Sequence, residues 1–166
     1  MSEQGHSFSV LAVRFERRLP GAVERVWQHL TDCSKLVGWF GEDGVIEPRE
    51  GGTVRFSAGH IRGVVTQWKP NRRLAYTWNV FGPGDSESPY PESHLTFELE
   101  PHGSEVRLTL VHLPILEPFE KQNMMGWHTF LDMLGAAVRG ETVAARADYM
   151  KRNAAVYGID LSNLQR

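Results

Sequence analysis

His112 is the residue of this sequence with the strongest case for acid-base chemistry. It ends the segment VRLTLVH, residues 106–112, in which Val106, Leu108, Leu110 and His112 occupy alternate positions. If the segment is a strand, His112 lies on the same face as these apolar residues. An imidazole titrates near neutral pH, so a histidine directed into a pocket could transfer protons or orient a ligand by a hydrogen bond. The alternative is a core histidine whose ring nitrogens bond to neighbouring groups. We therefore regard His112 as a candidate catalytic residue and a candidate ligand contact.

Four other polar side chains are weaker candidates. Tyr76 would need a partner for its hydroxyl if buried, and it could polarise a carbonyl group. His128 and Asp132 are one helical turn apart on a narrow polar stripe, which is typical of a surface position. Cys33 lies near a possible helix start, where a thiolate is favoured, although a structural role is the simpler interpretation. Because no nucleophile motif, metal-spaced cluster or phosphate-binding loop is present, we predict neither a metal nor a cofactor.

The segments that carry these side chains alternate apolar and polar residues, as half-buried antiparallel strands do. The predicted strands span residues 8–17, 53–58, 74–80, 95–100 and 105–112. Residues 61–69 predict a further strand, but its facing is ambiguous because Val64, Val65 and Trp68 do not share a parity. Glycine- or proline-containing pairs mark the turns, and Pro114 and Pro118 are expected to end the last strand.

Helical periodicity appears on both sides of these strands. Pro20 is expected to open a first helix, and Asp32 to cap a short second one. A long helix is expected from about Glu120, and its residues 124–138, MMGWHTFLDMLGAAV, are apolar on nearly every side. The order of elements predicts an α+β domain in which a curved antiparallel sheet packs on one long helix.

Two segments lie outside this pattern. GPGDSESPYP, residues 82–91, predicts a long hairpin loop that is either the rim of a site or a tolerated insertion. Residues 140–166 form a C-terminal extension with helical spacing of Val143, Ala147, Met150 and Ala154, and Gly158 could end that helix. We predict one domain over residues 1–166 with a core at about 8–139. The extension could cover a cavity, join two subunits as a homodimer, or simply pack on the domain.

Composition narrows the function classes. The chain has 166 residues, a net charge of -2 and one cysteine. This charge argues against a phosphate-binding surface and hence against nucleic-acid partners, so Arg17-Arg18 and Arg72-Arg73 are interpreted as solvated strand ends. No secretory signal or apolar run of about 20 residues is visible, so we expect no membrane association. A lone cysteine fits a reducing compartment, and the expected location is the cytoplasm.

A curved sheet cannot touch a straight helix along its whole length. Leaving about 300 Å³ empty would cost on the order of 7 kcal/mol, comparable with the net stability of a domain. The gap must therefore be closed by large side chains or be occupied by water or a ligand. The predicted walls of such a cavity are Trp39, Phe56, Tyr76, Trp78, Phe97, Leu108, His112, Trp127, Phe130 and Leu131.

Several short motifs, in order, resemble one known family. Trp39-Phe40, residues 47–52 (EPREGG), Thr77-Trp78, residues 108–112 (LTLVH) and Gly126-Trp127 are similar to motifs of bacterial relatives of the activator of the heat-shock-protein ATPase. This family belongs to the SRPBCC superfamily, shared with birch-pollen-allergen-like and steroid-transfer domains. The resemblance covers about residues 8–139 and implies the helix-grip fold with a hydrophobic cavity. It supplies no fixed catalytic set.

Three functions remain open at this stage. The first is a binding protein that holds a small apolar or amphipathic molecule between sheet and helix, with His112 as an orienting group. The second is a polyketide cyclase-like or hydrolase-like enzyme that uses His112 as its acid-base group. The third is a co-chaperone-like module that contacts a heat-shock ATPase through an exposed surface.

Overall fold

The computed structural model describes residues 3–40 and 44–165, and most of them lie in strands and helices. The strands are β1 (Leu11–Pro20), β2 (Val45–Ile46), β3 (Thr53–Phe56), β4 (Ile61–Lys69), β5 (Arg73–Val80), β6 (Ser93–His102) and β7 (Glu105–Ile115). The helices are α1 (Val23–Thr31), α2 (Cys33–Leu36), α3 (Glu120–Val138) and α4 (Arg146–Tyr157), with 3₁₀ turns at Ser57–Gly59 and Glu117–Phe119.

The strands form a single antiparallel sheet in the order β1-β7-β6-β5-β4-β3-β2. Its inner face carries alternate residues of each strand, as in β6, where Leu95 and Phe97 are buried while Thr96 and Glu98 are more exposed. The long helix α3 contributes Trp127, Leu131 and Leu134 to the same core. This arrangement is the predicted α+β helix-grip fold, and α3 begins at the predicted residue, Glu120.

Proline positions account for two errors in the predicted boundaries. Pro20 is the last residue of β1 and pairs with Glu105, whereas the sequence suggested that it opens a helix. Because β1 is an edge strand, a residue without an N–H is tolerated there. Pro114 lies inside β7, beside an irregularity in the pairing with β1 between Leu11 and Val13, and so does not end the strand. Prolines are accommodated at such irregularities because no ladder hydrogen bond is lost.

A bulge explains the ambiguous facing of residues 61–69. In the pairing of β4 with β5, Val65 lies opposite Tyr76 and Gln67 lies opposite Ala75, which leaves Thr66 as an extra residue. A bulge shifts the alternation by one position. Val65 and Trp68 can therefore both pack towards the core although they differ in parity, and Trp68 contacts the ring of Trp27.

The C-terminal extension contains α4, which packs against α3. Gly158 follows the last residue of α4 as its C-cap, as the sequence predicts, and its φ of 65° is the left-handed conformation common at this position. The buried side chains of α4 are Tyr149, Asn153 and Ala154, while Ala147 is exposed. The predicted apolar face is therefore only partly correct, since Ala147 is exposed and a polar residue, Asn153, is buried. Hydrogen bonds satisfy the buried amide of Asn153. Asn153 Nδ2 lies 3.1 Å from Thr129 Oγ1 and 3.2 Å from Asp132 Oδ2.

No helix among the described residues has the length and apolar character required to cross a bilayer.

Candidate functional site

The space between the centre of the sheet and α3 is filled by aromatic rings. Phe40 and Phe130 stack with centroids 4.5 Å apart and planes 2° apart, and Phe40 lies 4.6 Å from Phe56. Phe97 contacts Trp127 edge-to-face at 6.3 Å. Stacked and edge-to-face pairs at these separations are favourable contacts. Ring packing therefore closes much of the gap that a curved sheet and a straight helix leave.

Open space lies instead at one end of the sheet, beneath the loop of residues 81–92 and beside the first turns of α3. A cavity of about 340 Å³ is present there. It is lined by His60, Trp78, Val80, Tyr90, Pro91, Ser93, His112, Pro114, Ile115, Leu116, Phe119, Gln122, Asn123 and Gln165. This volume is at the lower end of the range found for small-molecule sites.

A second depression of about 230 Å³ continues from this cavity along α3. Its lining consists of Trp78, Phe119, Gln122, Asn123, Gly126, Trp127 and Phe130, of which the first four also line the larger cavity. We call the two together the α3 recess. Its walls combine half-buried aromatic rings with amide, hydroxyl and imidazole groups, so it can bind a molecule that has both an apolar and a polar part.

His112 is held by hydrogen bonds from both sides of its ring. Trp127 Nε1 lies 3.0 Å from His112 Nδ1, and Ser93 Oγ lies 2.8 Å from His112 Nε2. An indole N–H can only donate, so Nδ1 accepts and the neutral ring carries its proton on Nε2. His112 then donates to Ser93 Oγ, and the Ser93 hydroxyl donates to the carbonyl of Trp78 at 2.9 Å. The chain of hydrogen bonds fixes one tautomer.

This arrangement limits the chemistry of His112. Burial, with a smaller contribution from the charge of His94, lowers the pKa of His112 to about 4, so the ring is neutral at physiological pH. Its basic nitrogen is occupied by the N–H of Trp127, and its other nitrogen is protonated towards Ser93. A neutral donor in this position cannot remove a proton from Ser93, in contrast to the histidine of a nucleophile-base pair. The side chain is suited to positioning Ser93 at the edge of the recess.

The ten predicted wall residues are divided among different places. Trp78 and His112 line the cavity, and Trp127 and Phe130 line its continuation along α3. The remaining side chains line neither part of the α3 recess. Those packed in the interior are Trp39, Phe56, Tyr76, Phe97 and Leu108, and Leu131 faces a separate groove between α3 and α4. Burial raises the pKa of Tyr76, which keeps its hydroxyl protonated.

Sequence reasoning missed several lining residues. Ser93 shares the parity of Leu95, Phe97 and Leu99 and could have been found by extending that alternation by one step. Phe119 and Asn123 precede the apolar part of α3, and only the packing of the loop against the helix brings Phe119 to Tyr90, with ring centroids 5.6 Å apart. Spatial proximity of this kind has no signal in residue spacing.

The other candidate polar groups lie outside the recess. His128 Nδ1 is 2.9 Å from the hydroxyl of Tyr157, and His128 Nε2 is 3.7 Å from Asp132 Oδ2. The first contact joins α3 to α4, and the second lies within α3. Cys33 is exposed. Among residues 3–40 and 44–165, no three histidine, cysteine, aspartate or glutamate side chains are grouped as metal ligands.

The matching family profile is described as "Activator of Hsp90 ATPase homolog 1-like protein", and it covers residues 21–139. This chain belongs to that family. The match includes β2 to β7 and α3 but not β1 or α4. Among proteins with curated functions, none matches the sequence.

Several solved structures share the fold of this family member. The protein encoded by gene BPP1335 of Bordetella parapertussis is 26% identical, with 99% of this chain and 93% of that chain covered at a TM-score of 0.69. CalU16 of Micromonospora echinospora is 24% identical, with 89% and 86% covered at a TM-score of 0.72. Aha1 of Colwellia psychrerythraea, solved as a dimer, is 22% identical, with 77% and 96% covered at a TM-score of 0.64.

Proposed function

We propose that this protein binds a small amphipathic molecule, with an aromatic or other apolar part, in the α3 recess. The observation that carries the proposal is the position of the open space, which lies between Trp78 and the start of α3 rather than in the ring-filled interior. The rings of Trp78 and Phe119 offer apolar surface to a ligand. Nearby polar groups can fix its orientation, as is usual in small-molecule sites.

Ser93 is the best-placed orienting group. Its hydroxyl accepts from His112 and donates to Trp78, which leaves one lone pair that can accept a hydrogen bond. The side chain of Asn123 donates to the carbonyl of Phe119 at 3.0 Å, and its own carbonyl oxygen can accept another bond. These groups favour a ligand with a hydroxyl or amide donor. In this proposal His112 acts indirectly, by holding Ser93.

Gly126 provides a direct test, because it lines the recess and a Cβ at this position would meet nothing within 4 Å. Replacing Gly126 with leucine should fill part of the recess while improving helix propensity, so the variant is expected to fold. With naphthol as a neutral probe, fluorescence titration should show binding to the wild type. We expect binding about tenfold weaker or worse in Gly126→Leu, a loss of the order of 1.4 kcal/mol.

Gly126→Ala is the matched control, because a methyl group leaves most of the recess open. Its affinity for naphthol should stay within about twofold of the wild type. If Gly126→Leu binds the probe as well as Gly126→Ala does, or if neither the wild type nor a panel of neutral aromatic alcohols shows saturable binding, the proposal is wrong.

The enzyme alternative receives little support from the site. The hydrogen bonds of His112 leave it no free lone pair, and its lowered pKa makes it a poor proton carrier near neutral pH. If the protein turns over a substrate and a His112→Asn variant does so at the same rate, His112 is not a catalytic residue.

The family description supports a co-chaperone function as a second candidate. Such a function would use an exposed surface and not the recess. A stimulation of the ATPase of a bacterial Hsp90 by this protein, unchanged in Gly126→Leu, would favour that function over small-molecule binding. An absence of stimulation at micromolar concentration would dispose of it.

The C-terminal extension could also form a homodimer, and one solved relative is described as a dimer. Val156 is the most exposed large apolar residue of α4, at 64%. If α4 joins two subunits through this face, Val156→Glu should convert a dimer into a monomer in light scattering. A wild-type monomer would exclude the arrangement.

A further inference from the structure

A second open site lies on the other side of α3, between β1, α3 and α4. It is a groove of about 520 Å³ that shares no lining residue with the α3 recess. We call it the arginine groove after its four arginines, Arg17, Arg18, Arg139 and Arg152. The other lining residues are Leu19, Leu131, Asp132, Gly135, Ala136, Glu141, Tyr149 and Asn153.

The groove is locally basic although the chain as a whole is not. Four arginines face two carboxylates, those of Asp132 and Glu141, while the net charge of the whole chain is -2. Glu141 accepts two hydrogen bonds from Arg139, at 2.8 and 3.2 Å. Asp132 lies only at the limit of an ion pair with Arg17, 4.0 Å away. The balance of formal charge among the lining residues is therefore positive by two.

Arg18 and Arg152 have no carboxylate within ion-pair distance among the described residues. The other two arginines have carboxylate partners, Asp132 for Arg17 and Glu141 for Arg139. An arginine without a carboxylate partner keeps its full set of donors for a ligand, and its planar fork matches the oxygen atoms of a phosphoryl group.

Two of the arginines are already held in position. The guanidinium of Arg152 lies over the ring of Tyr149, 4.8 Å from its centroid. Arg17 lies 5.2 Å from the ring centroid of Phe15 and donates to the carbonyl of Glu16 at 3.0 Å. Side chains that are ordered before binding lose less conformational entropy when a ligand arrives. This ordering distinguishes the groove from a set of freely moving surface arginines.

The floor of the groove is apolar and formed by small or aliphatic residues. Leu19, Leu131 and Ala136 are buried. The absence of a side chain at Gly135 lets the guanidinium of Arg139 lie against the helix, because a Cβ there would be 2.9 Å from Arg139 Nη1. A ligand could therefore place a short apolar part on the floor while its anionic group meets the arginines at the rim.

We propose that the arginine groove binds the phosphoryl group of a small organic phosphate or of a lipid headgroup. The net charge of the chain predicts no phosphate-binding surface, and by the same reasoning Arg17-Arg18 is a solvated strand end. Net charge does not report how charges are grouped. Arg18 and Arg152 are 134 positions apart in the sequence and line the same groove because β1 and α4 both pack against α3.

Two-dimensional NMR with inorganic pyrophosphate, at constant ionic strength, tests the proposal on the intact protein. Saturable shifts are expected at backbone amides of residues 17–19 and 149–153. Arg18→Ala and Arg152→Ala should each weaken binding about tenfold, since hydrogen bonds to charged groups are the strong ones. Arg152→Lys, which keeps the charge but not the fork, should lie between Arg152→Ala and the wild type.

Arg72→Ala is the matched control, because it removes one positive charge from an exposed position outside the groove. It should leave the affinity within about twofold of the wild type. A second experiment measures binding of the wild type and the variants to vesicles of phosphatidic acid in phosphatidylcholine. Binding of vesicles that is lost in Arg18→Ala, with weak binding of free pyrophosphate, assigns the phosphoryl group to a lipid headgroup.

Three results would overturn the proposal. The first is the absence of saturable binding to both probes up to about 10 mM phosphoryl groups. The second is an equal loss of affinity in Arg72→Ala and Arg18→Ala, which would indicate general charge attraction. The third is a set of shifts centred on the α3 recess. The first two results do not bear on the binding of naphthol, and the third would place pyrophosphate in the α3 recess without deciding whether naphthol binds there.

Discussion

The interior under the centre of the sheet and the α3 recess are adjoining parts of one aromatic cluster, yet they differ in packing. In the interior, Phe56 and Phe97 are about 1% exposed and contact further rings on several sides. In the recess, Trp78 and Phe119 remain partly exposed around open space. A helix-grip fold therefore need not enclose its cavity at the centre. The position of the cavity depends on which side chains α3 presents along its length.

The composition of α3 changes at the boundary between these regions. Its first two turns present Gln122, Asn123 and Gly126 towards the recess, which are polar or lack a side chain. The following turns present Leu134 and Val138, which are fully buried in the interior. Gly126 leaves a gap where a larger residue would complete the packing. The difference between a filled and an open region thus follows from three or four positions of one helix.

The largest effect expected from this comparison is on stability. Phe97→Ala should lower the free energy of unfolding by about 3–5 kcal/mol, because it removes a ring from a packed interior that cannot collapse around the gap. Phe119→Ala makes the same chemical change at the edge of the recess and should cost only about 1 kcal/mol. Urea denaturation followed by tryptophan fluorescence measures both. Similar losses in the two variants would show that the regions do not differ in packing.

A smaller effect is expected at His112, which lies on the boundary between the two regions. Its pKa is about 4 in the folded protein and about 6.5 when unfolded, so the unfolded state binds more protons between these values. Stability present above pH 6.5 is therefore lost as the pH falls towards 4. At about pH 4.5 the contribution lost is on the order of 2–3 kcal/mol.

The matched variant for this prediction is His112→Gln, which does not titrate. Between about pH 7.5 and pH 4.5 the wild type should lose on the order of 2–3 kcal/mol more stability than the variant. Contributions from other histidines, such as the lowered pKa of His29, are common to both proteins and cancel in the comparison. Parallel pH profiles would mean that His112 is accessible to water and that the recess extends around it.

The sequence predicts the elements of this fold better than it predicts the site. Alternation in β5 to β7 and the apolar run of α3 determine which faces are buried, so the sheet-on-helix arrangement can be predicted from the residues. The same reasoning predicts that Phe56 and Phe97 line a cavity, whereas in the structure both side chains are packed in the interior. Periodicity predicts that an aromatic side chain points towards the core, but it does not predict whether that side chain packs against another ring or borders open space.

Features that depend on contacts between distant segments also escape sequence analysis. Ser93 accepts a hydrogen bond from His112 only because Trp127 determines the tautomer of His112. The burial of Asn153 in α4 depends on its bonds to Thr129 and Asp132. In both cases a polar residue is buried because a partner from another element satisfies it, and residue spacing carries no information about that partner.

The smallest expected effect distinguishes glycines that leave space from those that are required. Gly126→Ala should raise the free energy of unfolding by about 0.5–1 kcal/mol, because alanine is the better helix former and a Cβ there meets no atom within 4 Å. At Gly63 in β4, a Cβ would lie 1.8 Å from the backbone oxygen of Thr77, so Gly63→Ala should be strongly destabilising. Thermal unfolding should show a raised melting temperature for Gly126→Ala and a lowered one for Gly63→Ala. A destabilised Gly126→Ala would mean that α3 closes more tightly on Trp78 than an open recess allows, and the distinction between the two regions would then disappear.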